Sequence, residues 1–124
     1  DHPARTPAGV RRAVNRIGTD LFPMYLKVQR TDIMAQNPAT REDKLAKLYV
    51  VTELYEQILK EKDCVTLKQM AITGRDLMME GIPAGPGLGE VLSKLLDLVI
   101  EDPKRNEKTW LLAKAKEIYK ASRE

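Results

Sequence analysis

The sequence predicts an all-α protein, a helical bundle of about five to six helices. Apolar residues recur every three or four positions in each long segment, and no stretch shows the two-residue alternation of a half-buried strand. Aromatic residues make up only 5% of the 124. A core built from leucine, valine, isoleucine, methionine and alanine suits helix packing better than a sheet sandwich.

The elements follow in chain order. Thr6 or Pro7 starts the first helix, whose apolar side runs through Val10, Ala13, Val14 and Ile17 to a stop at Gly18. Thr19 is placed to cap the second, with Pro23 tolerated in its first turn. Leu21, Tyr25, Val28 and Ile33 or Met34 are expected on its buried side, to about Gln36. Asn37-Pro38 breaks that helix, because proline disfavours helical geometry at the residue before it. Thr40 with Asp43 has the spacing of a capping box and opens the third helix. Its apolar positions are Leu45, Leu48, Val51, Tyr55, Ile58 and Leu59, and it ends near Lys62. Val65–Ile72 is ambiguous: Thr66 with Gln69 opens one turn, or Ala71-Ile72 is extended before Thr73. A short helix capped by Thr73, with Asp76 three positions on, stops at Gly81. Pro86 suits the first position of the next helix, which buries Leu88, Val91, Leu92, Leu95 and Val99 and stops by Asp102-Pro103. Asn106 caps the last, with Trp110, Leu111, Ala115 and Ile118 as its apolar stripe.

Composition narrows the function. No apolar run approaches a membrane span, and no N-terminal stretch has the charged-then-apolar order of a secretion signal. The single cysteine, Cys64, precludes an internal disulfide, suits a cytoplasmic protein, and reads as a small buried hydrophobe or incidental thiol. Residues 1–39 carry six Lys/Arg against three acids, residues 40–102 eight against twelve, and residues 103–124 seven against three. Basic ends around an acidic middle suit a partner that touches some faces only, or simply a solvated charged surface. The opening Asp1-His2-Pro3 lacks a methionine and reads as the start of the C-terminal piece of a longer protein.

The most unusual stretch is Leu67–Leu98, where two helix starts flank a glycine-proline hinge. Gly85-Pro86-Gly87-Leu88-Gly89 is nearly bare of side chains. Glycine costs about 1 kcal/mol relative to alanine within a helix, so its concentration here has a reason. One reason is a tight turn with close helix packing. Another is anion binding, since a bare helix start offers amides and the positive end of the dipole to a phosphate. The candidate phosphate-contacting residues are the amides of Gly87, Leu88 and Gly89, with Arg75 and Lys94 supplying charge. A helix-hairpin-helix DNA-binding element has a related plan, so the pattern alone does not choose a nucleic acid.

The run ITGRDLMMEGIPAGPGLGEVLSKLLDLVIED resembles the C-terminal region of tRNA nucleotidyltransferases, the CCA-adding branch of the poly(A) polymerase family. Ile72, Gly74, Asp76, Leu77, Gly81, Gly85, Pro86, Leu88, Gly89, Leu92 and Leu95 fit its pattern in order and spacing. The segment Val10–Gln36 is similar to the helical region that precedes that motif in bacterial members. The resemblance implies a helical body region over residues 1–64 and a C-terminal helical region with a glycine-rich helix-turn-helix over 65–124, unless the two make one compact unit. It implies tRNA as partner rather than DNA or a membrane, together with an N-terminal nucleotidyltransferase domain of the same chain. Magnesium with CTP and ATP would serve that domain and not this piece. Some family members carry an HD-type phosphohydrolase region upstream. Asp32 in QRTDIMAQ resembles its last metal-ligand aspartate, and His2 would be a remnant of the same region. Alternatively, Asp32 is a buried carboxylate paired with Arg12 or Arg16.

This chain contains no phosphate-binding Gly-x-x-x-x-Gly-Lys loop and no cysteine or histidine set with zinc spacing. Catalytic residues are therefore expected to be none. Two functions remain: a tRNA-binding piece of a nucleotidyltransferase, or a helical structural or protein-interaction module whose glycines serve packing alone.

Overall fold

The computed structural model describes residues 5–123. Its elements are α1 (Pro7–Ile17), α2 (Phe22–Met34), α3 (Pro38–Glu61), α4 (Gly74–Met79), α5 (Pro86–Glu101) and α6 (Lys108–Ser122). Single 3₁₀ turns occupy Leu67–Gln69 and Pro103–Arg105. No strand occurs among the described residues, and the protein is all-α as its periodicity predicts. The chain divides into two compact units, Asp1–Asp63 and Cys64–Glu124.

In the first unit, Thr6 caps α1 by accepting a hydrogen bond from the Gly9 amide at 3.0 Å. Val10, Ala13 and Val14 bury the inner face of α1, and α3 contributes Val51, Tyr55 and Ile58. The anchor of α2 is Phe22, fully buried, with its ring 4.7 Å from that of Tyr55 and 5.4 Å from that of Tyr25. Burying such a side chain contributes about 1.5–3 kcal/mol. Arg11 reaches Asp63 at 3.2 Å, with only 7% and 10% of the two side chains exposed. That pair ties α1 to the residue just beyond the end of α3.

Four local expectations for this unit are corrected. The buried side of α2 is Phe22 and Ile33, while Leu21, Val28 and Met34 are exposed and Thr19 does not cap the helix. Apolar residues occupy both faces of α2, so period alone could not choose between them. α3 starts at Pro38, where Asn37 Oδ1 accepts from the Ala39 amide at 2.9 Å, and Thr40 lies inside the helix. Leu59, expected in the core, is exposed. α3 ends as expected at Lys62, whose left-handed φ of 55° closes it.

In the second unit the core comprises Ile72, Leu77 and Ile82 around α4, Val91, Leu95 and Val99 of α5, and Leu111 and Ala115 of α6. Leu88 and Leu92 pack at its edge, and Cys64 is buried in it. Thr66 and Gln69 do open a turn: Gln69 Oε1 accepts from the amides of Val65 and Thr66 at 2.8 and 3.1 Å. Asn106 does not cap α6, whose N-cap residue is Glu107. Its side chain instead accepts from the Ala71 amide at 2.7 Å and donates to the Gln69 carbonyl at 3.1 Å. A residue 35 positions away thus satisfies the backbone of the segment that leads into α4.

Candidate nucleic-acid interface

The candidate site is built on the joint between α4 and α5. Thr73 and Asp76 cap α4 reciprocally, Asp76 Oδ2 accepting from the Thr73 amide at 2.8 Å and Thr73 Oγ1 accepting from the Asp76 amide at 3.3 Å. The Thr73 amide, with the nearby Lys108 ammonium, holds the Asp76 carboxyl below its ordinary range. α4 ends in a Schellman closure, with Ile82 N–H donating to the Leu77 carbonyl and Gly81 N–H to that of Met78. The closure needs a positive φ at Gly81, observed at 100°. Gly85, at φ 138°, then aims the chain into Pro86 at the head of α5. Two ion pairs hold α4 to α6: Lys116–Glu80 at 2.9 Å and Lys108–Asp76 at 3.7 Å.

The glycines of this joint divide by environment. A Cβ added at Gly74 would sit 3.5 Å from Leu88 Cδ2 and 3.7 Å from Leu92 Cδ1, so here the absent side chain lets α4 lie close to the start of α5. A Cβ added at Gly87 or Gly89 meets no atom within 4 Å. The first turn of α5 is therefore open, and packing inside this fold does not account for those two glycines.

The three amides are not equivalent. Leu88 N–H donates to the Gly85 carbonyl at 3.1 Å and Gly89 N–H to the same oxygen at 3.4 Å. Pro86 has no N–H, which leaves Gly87 N–H as the α5 amide with no acceptor among the described residues. The expected set of three free amides thus reduces to one. Lys94 follows Gly87 by seven residues, two helical turns along the same face of α5. Arg75 is exposed in the first turn of α4, beside the glycine that contacts Leu88 and Leu92. Glu90, three residues after Gly87, puts an exposed carboxylate on that same face. It opposes an approaching anion, and the spacing that reveals it was already present in the sequence.

Asp32 is exposed, which removes the burial that would have demanded Arg12 or Arg16 as a partner. It lines a cleft in the first unit. His2 lies outside the described residues. Among the described residues no three His, Cys, Asp or Glu side chains cluster where a metal ion could be held, so they do not assemble an HD-type centre. Among the described residues no helix is long and apolar enough to cross a membrane.

The family model described as "tRNA nucleotidyltransferase domain 2 putative" matches residues 18–115. The chain belongs to that family. It is also similar to the CCA-adding enzyme of Levilactobacillus brevis, at 46% identity over 48 residues, 39% of this chain and 12% of that enzyme. The match thus spans about one eighth of the relative's length. No solved structure matches.

Proposed function

We propose that this chain is the tRNA-binding part of a CCA-adding tRNA nucleotidyltransferase. An N-terminal nucleotidyltransferase domain of the same protein would add CCA to tRNA 3′ ends from CTP and ATP with magnesium, in the cytoplasm. The family match over residues 18–115 carries this reading, because it takes in the whole α4–α5 joint.

At that joint the open first turn of α5 suits a phosphate backbone. Gly87 N–H and the positive end of the helix supply a directional donor, and the absence of side chains at Gly87 and Gly89 lets a wide ligand approach. Arg75 in the first turn of α4 and Lys94, about 10 Å along α5 from Gly87, add charge, while Glu90 limits it. Double-helical RNA is recognised by shape and by its backbone, which asks for no base-reading side chains at this turn. The turn itself does not choose between nucleic acids; the family match favours tRNA as the partner rather than DNA or a membrane. The chain itself would perform no nucleotidyl transfer, and label from CTP or ATP appearing in tRNA incubated with it alone would overturn that.

Affinity for tRNA measured across salt concentration tests the interface. Phosphate contacts release counterions, so affinity is expected to fall steeply with salt, and Arg75→Ala to flatten the log-log slope by about one unit. Gly87→Leu meets open space and should stay folded while weakening tRNA binding. A folded Gly87→Leu protein with unchanged tRNA affinity would remove the phosphate contact. A wild-type chain that does not bind tRNA would overturn the tRNA-binding reading and favour a helical interaction module.

A further inference from the structure

α2 carries a second apolar face that its own unit leaves uncovered. Leu21, Met24 and Val28, spaced by three and four, share one side of the helix and are 61%, 59% and 54% exposed. Thr31 and Ala35 continue the row, and the Thr31 hydroxyl donates to the Lys27 carbonyl at 3.0 Å. The row therefore carries no charge along its whole length. Single exposed apolar side chains are ordinary on a surface, whereas a continuous patch marks a contact.

The border of the row restricts what covers it. Tyr25, Gln29 and Asp32 each lie one residue beyond a member of the row and line a cleft along its edge. Across the cleft stand Lys44 and Lys47 of α3, with Arg5 from the segment leading into α1. Three cations thus face the single carboxylate of Asp32. Lys47 is held by Asp43 at 3.1 Å, but both are exposed, and such pairs are worth little. Lys44 donates to the side-chain oxygen of Gln36, an uncharged acceptor that a carboxylate outcompetes. An occupant lying along α2 is therefore apolar over the row and acidic over the cleft, as an amphipathic helix is. Arg5 also indicates its source. Because Arg5 lines the cleft, the polypeptide preceding it meets this unit at the edge of the row.

We infer that the α2 row and its cleft form the docking face for an acidic amphipathic helix from the preceding part of the same polypeptide. The inference rests on the proposed function, which places a nucleotidyltransferase domain in that part. Apolar side chains of the helix cover Leu21, Met24 and Val28, and its carboxylates meet Lys44, Lys47 and Arg5. A short tether gives such a helix an effective concentration of about 1 mM, so a weak contact suffices to hold it.

The test compares the 124-residue chain with the full-length protein that contains it. Val28→Cys reports on the row, and Tyr49→Cys is the control, 64% exposed on the opposite side of α3 from Lys44 and Lys47. Maleimide labelling is read at each substituted peptide by mass spectrometry, which separates it from the buried Cys64. Val28→Cys is expected to label about tenfold more slowly in the full-length protein, as a tether at ten times the docking Kd leaves a tenth of the face open. Tyr49→Cys should label equally fast in both. Adding Lys44→Glu/Lys47→Glu to the full-length protein should return the Val28→Cys rate to within about twofold of the 124-residue chain. Both lysines are exposed, and circular dichroism checks that helix content is kept. Equal Val28→Cys rates in the two proteins overturn the inference, and protection that survives the lysine reversals overturns the acidic helix. Slow labelling of the 124-residue chain that becomes fast on dilution assigns the row to a second copy and overturns it too. A full-length protein that adds CCA to tRNA yet labels fast at position 28 overturns this inference alone. A coding sequence with no nucleotidyltransferase domain ahead of this chain overturns the proposed function as well.

Discussion

Residues 5–63 and 64–123 each bury the inner faces of three α-helices, but with different materials. The first unit gathers around an aromatic contact, Phe22 with Tyr25 and Tyr55, and carries a nearly buried ion pair, Arg11–Asp63. The second buries aliphatic side chains and fixes its shorter α4 by a Thr73–Asp76 capping box together with two backbone devices, a Schellman closure at Gly81 and a positive φ at Gly85. Side-chain chemistry therefore specifies the first unit, and backbone conformation specifies the joint in the second. The two units should respond differently to removal of a charge and to addition of a methyl group.

The largest effect should follow from Arg11→Met, which leaves the Asp63 carboxylate nine-tenths buried beside an apolar chain. Breaking a buried pair from one side costs about 3–5 kcal/mol, whereas replacing both partners is often neutral. Arg11→Met with Asp63→Leu should therefore recover most of the loss in urea denaturation. A single variant as stable as wild type would show that the pair does not specify this unit.

A smaller effect compares two helix ends of the same geometry. α3 closes as α4 does, with Asp63 N–H donating to the Ile58 carbonyl and Lys62 N–H to that of Leu59, yet its left-handed residue is Lys62 rather than a glycine. Gly81→Ala should destabilise the second unit by about 1–2 kcal/mol, since the left-handed region is unfavourable to a Cβ. Lys62→Gly should stabilise the first by about 0.5–1 kcal/mol for the same reason. Thermal melts giving both changes the same sign would break the comparison.

The smallest effect concerns pH. The Asp76 carboxyl is depressed by the Thr73 amide and then by Lys108, so its contribution is present above the usual aspartate range. It is lost as pH falls through the lower, folded value. In Asp76→Asn, the fall in stability between about pH 4 and pH 2 should be shallower than in wild type. Equal slopes would mean the capping carboxylate contributes nothing through its charge.

The sequence showed most where structure is set within a few residues. Thr6, Pro7 and Gly18 bound α1, Thr73, Asp76 and Gly81 bound α4, and Pro86 starts α5, all from spacing of three or four or from fixed φ. It showed least where distant partners decide. Phe22 competes with Leu21, Met24 and Val28 for the buried side of α2, and only packing against Tyr55 chooses it. Asn106 has the composition of a helix cap, yet its partners at Gln69 and Ala71 lie more than thirty residues earlier. At the candidate interface the open space around Gly87 and Gly89 could not be read, because a packing glycine and an exposed one are the same letter. That one Gly85 carbonyl would engage both Leu88 and Gly89 was equally invisible.

The bridge from Asn106 to the Gln69–Ala71 backbone also bears on the order in which the second unit assembles. Its two hydrogen bonds close a loop of more than thirty residues that contains both α4 and α5, so they form only after the chain between has become compact. α5 and α6 are neighbours in sequence and collapse onto each other with far less entropy to lose. The 64–72 segment is then expected to dock late and to detach first on unfolding. Exchange of the Ala71 amide with solvent deuterium is thus a clock for that detachment, running faster than exchange at Leu95 or Val99, which waits for the whole helical core to open.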